Sequence, residues 1–464
     1  MKMRILLVEP AFPYPSKSKN KANQIHKNFV PIGLLKLGAF FKAKGDEVKL
    51  VRGKKEHQEL GDFLPNEICV TSVFTYWSKY VWDTIHHYRS LFPRVRIKLG
   101  GIYATLHSEK RYFREYREKY KVKCHVGLHA EADRVYPDYS ILEKGISHHV
   151  THAMRGCIRR CSFCGTWKLE PRRCDKTPEE LVEEIETIGK NKVIFFDNNF
   201  LANANIKPIL NDLKSLRVNN KSVTYESQSG FDGRLLLRDP ELAFLLKEAR
   251  FQNVRIAWDN EVRERKSIER QVQCLISAGF KAKDIAIFVL YNYDIPYGEM
   301  LKKLDLCAGW GTQVADCRYR PLDSREDNYN PHKVGQTIEE YYIHEKAGWT
   351  DEKVKDYRRR VREHNIWIRY AKDKGLKYDK NMEKWSAIHN TFKFFNMGRP
   401  PQLEVLEESP TWKRRIARMN TIKTYCKRNG PVVLDFSALT RRQIDEQLER
   451  LISSISKNGK KSRL

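Results

Sequence analysis

Met154-Arg155-Gly156-Cys157-Ile158-Arg159-Arg160-Cys161-Ser162-Phe163-Cys164-Gly165 sets three cysteines in a C-x3-C-x2-C run, with an aromatic residue just before the third. A run of this kind folds into a short loop that aims three thiolates at one place. Three ligands suit a site that keeps a position open, and a 4Fe–4S cube held by three cysteines leaves its fourth iron free. A structural zinc ion wants four protein ligands in a closed tetrahedron, so His152 or Cys174 would have to supply the fourth. The spacing is not that of paired C-x2-C knuckles, which makes the cube the expectation and zinc the alternative. Three separately buried cysteines is a weaker alternative, because the loop is rich in Gly and Arg and poor in apolar residues.

Working outward, the 464 residues leave room for two or three domains. Hydrophobic residues make up 41%, so a large core forms and the chain is not a disordered one. No apolar run approaches the ~18 residues of a membrane span. The apolar part of Met1–Pro10 is too short for a signal peptide and reads as a first β-strand, which makes a cytoplasmic protein the expectation. Ten cysteines in such a chain point to thiols and metal rather than to a disulfide framework. The net charge of +28 points to a polyanionic partner: nucleic acid, an anionic membrane surface or a phosphorylated substrate. A lysine-rich proteome accounts for the charge equally well, since Lys and Arg are spread along the whole chain.

Residues 1–145 alternate short apolar strands with helical periodicity. Strands are expected at Lys2–Val8, Glu47–Val51, Glu67–Val73 and Arg96–Leu99, and helices at Ile32–Phe41 and Val81–Leu91. This spacing predicts a doubly wound parallel sheet with ligands at the carboxyl ends of its strands. Those ends carry Glu9-Pro10, Thr75-Tyr76-Trp77 and Gly100-Gly101-Ile102. Cys124 and His125 read as ordinary packing.

Residues 146–325 repeat the alternation six times. His148–Met154 leads into the cysteine loop, and Thr177-Pro178-Glu179-Glu180 opens a helix with a capping box. Strands follow at Val193–Phe196, Val223–Ser227, Val254–Trp258, Ile285–Leu290 and Thr312–Arg318, with a helix after each of the first four. In a βα barrel, chemistry sits at the carboxyl ends of the strands, and here those ends carry polar clusters.

The cysteine run followed by this series resembles the radical S-adenosylmethionine (SAM) superfamily. Cys157, Cys161 and Cys164 match the cluster-ligand positions, and Phe163 matches the usual aromatic. The resemblance implies a partial (β/α)6 barrel, a 4Fe–4S cluster, SAM chelated to its open iron, and a 5′-deoxyadenosyl radical that abstracts hydrogen from an unactivated carbon. It also implies an external electron donor of the flavodoxin or ferredoxin type. By position, Asp197, Asn198 and Asn199 would meet the SAM amino group, although the Gly-Gly-Glu often found there is missing. Glu226, Gln228, Asp259 and Glu261 would meet the ribose hydroxyls, and Tyr291 and Asn292 the adenine. Cys317, Arg318 and Arg320 would face the substrate, with Cys317 as a catalytic hydrogen donor. Cys174, Cys307 and Cys317 are spaced too irregularly for an auxiliary cluster and read as free or buried thiols.

The first domain resembles the cobalamin-binding-type domain that precedes one branch of that superfamily. The matching pieces are Pro31-Ile32-Gly33-Leu34, the Ser72–Thr75 strand end, Leu99–Thr105 and Pro137-Asp138-Tyr139. The resemblance implies cobalamin as a further cofactor and methyl transfer as the reaction, yet the D-x-H-x-x-G motif that supplies a histidine to cobalt is absent. The alternative is a corrinoid-free Rossmann-like domain that shapes the substrate pocket, with rearrangement, cyclisation or nucleic-acid modification as the chemistry.

Residues 326–464 read as a helical, basic region. Ser324–His332 reads as a linker, and helices are expected at Ile338–Lys346, Asp351–Lys372, Lys413–Lys427 and Thr440–Ile455, punctuated by Trp349, Trp367, Trp385 and Trp412. Basic runs at Arg358–Arg362, Lys413–Arg418 and Lys457–Arg463 could hold phosphates, with aromatics to stack bases; a helical cap over the barrel mouth is the plainer expectation. The last alternative is a zinc-stabilised nucleic-acid-binding protein, which only the charge favours.

Overall fold

The computed structural model describes residues 2–13, 30–329, 338–370, 446, 449, 450 and 453. The described residues up to Arg358 belong to one compact unit, and those from Arg359 onward to a second. No helix among the described residues is long and apolar enough to cross a membrane.

In the first unit, five strands form one parallel sheet: β1 (Arg4–Glu9), β2 (Glu47–Arg52), β3 (Glu67–Ser72), β4 (Arg96–Gly101) and β5 (Val122–Cys124), in the order β2-β1-β3-β4-β5. This is one of the two common orders of doubly wound sheets, with its switch point between β1 and β3. Ile5, Leu6, Leu7 and Val8 are all fully buried, as a run apolar on both faces requires of a central strand. β5 is the strand that periodicity misses, because it is three residues long with one buried side chain, Val122.

Gly101 shows why the β4 end carries two glycines. Its φ is +101°, and a Cβ there would stand 2.3 Å from the Ser72 carbonyl oxygen. The Ser72 hydroxyl donates to the Gly100 carbonyl at 2.7 Å and accepts the Ala104 N–H at 3.0 Å, so β3 and β4 are locked at their carboxyl ends.

The second run of strands comprises β6 (His149–Thr151), the short pair β7 (Met154–Arg155) and β8 (Cys174–Asp175), β9 (Lys192–Phe195), the hairpin β10 (Arg217–Val218) and β11 (Lys221–Ser222), then β12 (Thr224–Ser227), β13 (Arg255–Ala257), β14 (Ala286–Tyr291) and β15 (Gln313–Arg318). Six of them form two three-stranded parallel sheets, β12-β9-β6 and β13-β14-β15. A parallel bridge between Phe231 and Ile256 joins the region after β12 to β13. Five of the six match expected strands to within a residue at each end, and β6 covers only His149–Thr151 of the expected His148–Met154. The helix Pro178–Ile188 opens with the expected capping box between Thr177 and Glu180, and Gly189 closes it in the left-handed conformation. The hairpin was not expected; Asn219 and Asn220 make its two-residue turn, both at positive φ. Phe195, Phe200, Tyr225, Phe231 and Phe251 pack as one buried aromatic cluster behind the first sheet.

Two C-terminal expectations need correction. Ile338–Lys346 is not a helix but two single 3-10 turns, Ile338–Glu340 and Glu345–Ala347. Side chains from elsewhere take its backbone: Asp327 accepts the Tyr342 N–H at 3.1 Å, and Asn292 and Arg318 both donate to the Tyr342 carbonyl at 3.0 Å. Nor is the start of the Ser324–His332 stretch a free linker. Ser78 donates its N–H and hydroxyl to the Arg325 carbonyl, and Trp77 bridges Glu326, tying this strap to the N-terminal sheet. The helix Asp351–Tyr370 forms where Asp351–Lys372 was expected. The expected helix Lys413–Lys427, Trp385, Trp412 and the basic runs from Lys413 onward lie outside the described residues; of Thr440–Ile455, only the four described positions are seen, and they are helical.

Candidate active site

The cysteine loop leaves β6 at its carboxyl end and is closed at its base. β7 and β8 pair antiparallel, Met154 with Asp175 and Arg155 with Cys174, so residues 156–173 form a tethered excursion. Gly156 makes the first bend at φ +77°, where a Cβ would meet the Arg172 carbonyl oxygen at 3.0 Å and that of Glu170 at 3.2 Å. Only glycine fits both demands. Cys161 and Cys164 sit across a tight turn, Cys164 N–H to Cys161 carbonyl at 3.1 Å, and Gly165 then starts the short helix Thr166–Leu169.

All three cysteines are free and partly exposed. Two of their sulfurs accept backbone N–H groups: Cys157 Sγ from Arg159 at 3.3 Å and Cys164 Sγ from Thr166 at 3.4 Å. N–H donors of this kind stabilise thiolates and tune a cluster. Burial, and then Asp259, Cys164 and Cys157 nearby, push the Cys161 thiol above the ordinary cysteine range. Three thiols within electrostatic reach of one another are a donor set that fits an iron–sulfur cube, whose irons would take them as thiolates. Among the described residues, no three His, Cys, Asp or Glu side chains converge on one ion-sized site. In a cube each thiolate takes its own iron, so the sulfurs need not share one coordination sphere. The would-be fourth zinc ligands are elsewhere: His152 is buried with its Nε2 3.9 Å from Asp133, and Cys174 is exposed on β8.

The residues after β9 brace this loop. Asp197 is buried, and its carboxylate accepts the N–H groups of Ala153 at 3.0 Å and Met154 at 2.7 Å. Burial pushes its pKa up to about 7, against those hydrogen bonds and the charges of Lys176 and Arg155. Asn198 donates to Glu170 at 2.9 Å and accepts the Thr166 hydroxyl at 3.0 Å, one residue from the Cys164–Gly165 turn. Asn199 donates to Asp232 at 3.3 Å, and its own buried carbonyl oxygen has no hydrogen-bond partner. Asp232 also takes Arg159, from within the cysteine loop, at 2.9 Å. Burial opposes ionisation of Asp232, but hydrogen bonds from Arg234 and Arg159 hold its carboxyl below the usual range.

The remaining expected residues divide into two groups. Cys317, Asp259, Arg255 and Glu226 form one electrostatic group. Cys317 is exposed on β15 within electrostatic reach of Asp259 and Arg255. Arg255 holds Glu226 at 2.7 Å, and Lys192 stands 4.0 Å from the second Glu226 oxygen. Burial pushes Asp259 up to about 6, opposed by Lys303 and Arg234. Gln228 adds a buried side-chain oxygen without a hydrogen-bond partner. The other group is turned to other work. Glu261 is exposed and pairs with Arg263 at 2.8 Å. Tyr291 is buried against Trp349 and Tyr357. Asn292, at φ +58°, is fully buried and clamps backbone: it donates to the carbonyls of Tyr319 and Tyr342 and accepts the His344 N–H at 2.9 Å. Arg318 and Arg320 both pair with Asp327. Cys307 is buried, and its thiol is pushed up to about 12.

Tyr293 is the residue that sequence reasoning passed over. Its hydroxyl is 2.8 Å from that of Ser162, and its ring meets Phe163 edge-on at 5.8 Å and Tyr319 at 4.5 Å. It therefore touches the cysteine loop directly. The left-handed turn at Asn292 is what swings it there, and strict alternation along the strand hides that turn.

A separate cavity of about 400 Å³ lies on the N-terminal sheet, between the helix Ile32–Ala43 and the carboxyl halves of β3, β4 and β5. Gly100, Gly101 and Leu128 give it apolar and open walls, His125 and His129 stack at 5.3 Å beside it, and Lys36, Asp133 and Arg155 close it.

Comparison with known proteins bears on this site. Residues 152–299 match the family model described as the radical SAM superfamily. No curated protein is similar enough to this chain to count as a match. Among solved structures, methylornithine synthase (PylB) aligns at 14% identity over 39% of this chain with a TM-score of 0.30. The alignment spans 58% of that enzyme's chain, less than two thirds. The carboxyl transferase domain from Rhizobium etli pyruvate carboxylase aligns at 9% identity over 91% of this chain and 61% of its own, with a TM-score of 0.20. Both superpositions are too loose to carry an argument, and residues 152–299 are the segment of this chain that is similar to the radical SAM superfamily.

Proposed function

We propose that this protein is a radical SAM enzyme in which Cys157, Cys161 and Cys164 hold a 4Fe–4S cluster at the mouth of a partial barrel made from the two three-stranded sheets. The observation that carries the reading is the tethered loop: three thiols, two of them bonded to backbone N–H groups, inside the segment that matches the superfamily. When bound and reduced, the cluster supplies the electron that cleaves SAM to a 5′-deoxyadenosyl radical. This chain's own residues do the rest. Asn198 sits beside the Cys164 turn, where the amino end of SAM is expected, while Asp197 holds the loop's backbone in place. Phe163 and Tyr293 offer rings for adenine. Asp259 and Gln228 keep side-chain oxygens for hydroxyl groups. Cys317, exposed on β15, is the candidate hydrogen donor to a substrate radical. Anaerobic reconstitution with iron and sulfide, then SAM and a chemical reductant, should yield 5′-deoxyadenosine. Undiminished yield from Cys157→Ala would refute the ligand assignment, and undiminished product formation from Cys317→Ala would remove that residue from the mechanism.

The cavity on the N-terminal sheet favours a second cofactor, cobalamin, with methyl transfer as the reaction. Its apolar lining, glycine-walled floor and stacked imidazoles fit a planar heterocycle, and burial lowers the pKa of His129 so that a neutral ring faces the space. Hydroxocobalamin titrated into the full chain should be retained through gel filtration with a shifted visible spectrum; passage of free corrinoid would reject the methyltransferase reading and leave the radical one. The electron donor would be an external flavodoxin- or ferredoxin-type protein.

A further inference from the structure

Arg155 links the cavity on the N-terminal sheet to the cysteine loop through charge. It lines the cavity on the N-terminal sheet together with Lys36 and Asp133. Its guanidinium grips Asp133 with two nitrogens, Nη2 to Oδ1 at 2.6 Å and Nε to Oδ2 at 3.3 Å, and Lys36 holds the same carboxylate at 3.2 Å. Its third nitrogen reaches the other way, Nη1 to Glu170 Oε1 at 3.0 Å.

Glu170 passes the connection into the cysteine loop. Its second oxygen accepts the Gly156 N–H at 2.8 Å, at the residue preceding Cys157, and the Asn198 amide at 2.9 Å. Asn198 takes the Thr166 hydroxyl at 3.0 Å, and Thr166 contacts the Cys164 sulfur through its hydroxyl at 3.2 Å and its N–H at 3.4 Å. Hydrogen bonds and ion pairs thus run from the cavity wall to the Cys164 sulfur, and to Gly156, the residue bonded to Cys157. The charged side chains from Lys36 to Glu170 are shielded, with Lys36 6% exposed, Glu170 11% and Arg155 21%, whereas Asn198, the link onward to Thr166, is exposed. Shielded charge-assisted contacts are stiff and poorly screened by salt, so a shift at one end is passed on rather than absorbed by water. The fixed fork geometry of arginine makes it the side chain that can hold two carboxylates in one plane on opposite sides.

We propose that Arg155 is a positioning residue that couples the cavity on the N-terminal sheet to the cysteine loop, so that filling the cavity resets the placement of Cys157 and Cys164. The proposal rests on the reading of that loop as the cluster site, but its test separates the two. Gly33 lines the cavity and is exposed, and a Cβ added there meets nothing within 4 Å, so Gly33→Leu puts an apolar side chain at the cavity without a clash and is used to occupy it. Amide hydrogen exchange of residues 156–166 is then compared in the full, reconstituted chain, with and without Gly33→Leu, in the Arg155 and Arg155→Gln backgrounds. The expected result is a change of about fivefold or more on filling the cavity, the low end of an ordinary coupling free energy, that disappears in Arg155→Gln. Glu170→Gln, nearly the same shape, gives the same cycle should Arg155→Gln fold poorly. The EPR-monitored midpoint potential of the cluster should shift in step, because hydrogen bonds around the sulfurs set it. Exchange that does not respond to Gly33→Leu, or responds equally without Arg155, overturns the coupling. Intact coupling in a chain that takes up no iron would overturn the cluster reading and leave the coupling standing.

Discussion

The Asp197 carboxylate, at the end of β9, accepts the backbone N–H of Met154 at 2.7 Å, and so fixes the strand that launches the cysteine loop to the neighbouring strand of its sheet. A buried carboxylate turned onto peptide groups is a brace. It also carries a pH signature.

Asp197 has its pKa pushed up to about 7, above the ~3.9 of an unfolded aspartate. A raised acid binds its proton more tightly in the folded state. Its contribution to stability is therefore full below about pH 4 and is lost as pH rises through about 7. The difference in melting temperature between wild type and Asp197→Asn should favour wild type more at pH 5 than at pH 8; a pH-independent difference would refute this.

Glu184 behaves in the opposite sense. It is buried, 3.2 Å from His149 Nε2, accepts the Thr151 hydroxyl at 2.9 Å and pairs with Lys176. Burial opposes its ionisation, but these partners hold its pKa at about 2. Its stabilisation is present above the unfolded value near ~4.3 and is lost as pH falls toward about 2. Glu184→Gln leaves Lys176 without its buried partner and should cost roughly 3–5 kcal/mol in chemical denaturation at pH 7.

Gly156→Ala forces a side chain into a left-handed bend and against two carbonyl oxygens. The backbone term alone is about 1–2 kcal/mol. Because the bend immediately precedes Cys157, iron uptake on reconstitution should fall sharply while the far-ultraviolet circular dichroism stays that of wild type.

Tyr293→Ala removes the ring that contacts Phe163 and Tyr319, whereas Tyr293→Phe removes only the hydroxyl bonded to Ser162. If the ring packs adenine, the alanine variant should weaken SAM binding about tenfold or more, a loss of ~1.4 kcal/mol, and the phenylalanine variant much less. Equilibrium binding of SAM to the reconstituted protein reads both; equal losses would place the effect in the hydroxyl.

Strand after strand of the two parallel systems was legible along the chain, because a buried strand is a run of apolar residues between turn signals, and that pattern is local. The failures are equally physical. β5 has too few buried residues to leave a pattern, and Ile338–Lys346 keeps a helical spacing while Asp327, Asn292 and Arg318 take its backbone groups from afar. Within the candidate site, the three cysteines announced themselves through spacing. Which of Tyr291, Asn292 and Tyr293 reaches the loop did not, since one left-handed residue decides it.

Spacing and periodicity alone determined that this chain carries a three-thiol loop at the head of an alternating strand–helix series, because both are properties of neighbours in sequence. Only the tertiary structure decided that Asp197 serves the backbone, that Asn292 is a clamp, and that Asp133, Arg155 and Glu170 join the N-terminal cavity to the cysteines. Such partners lie 15 to 52 positions apart, and nothing local in the chain records which distant carboxylate a buried arginine or amide will meet.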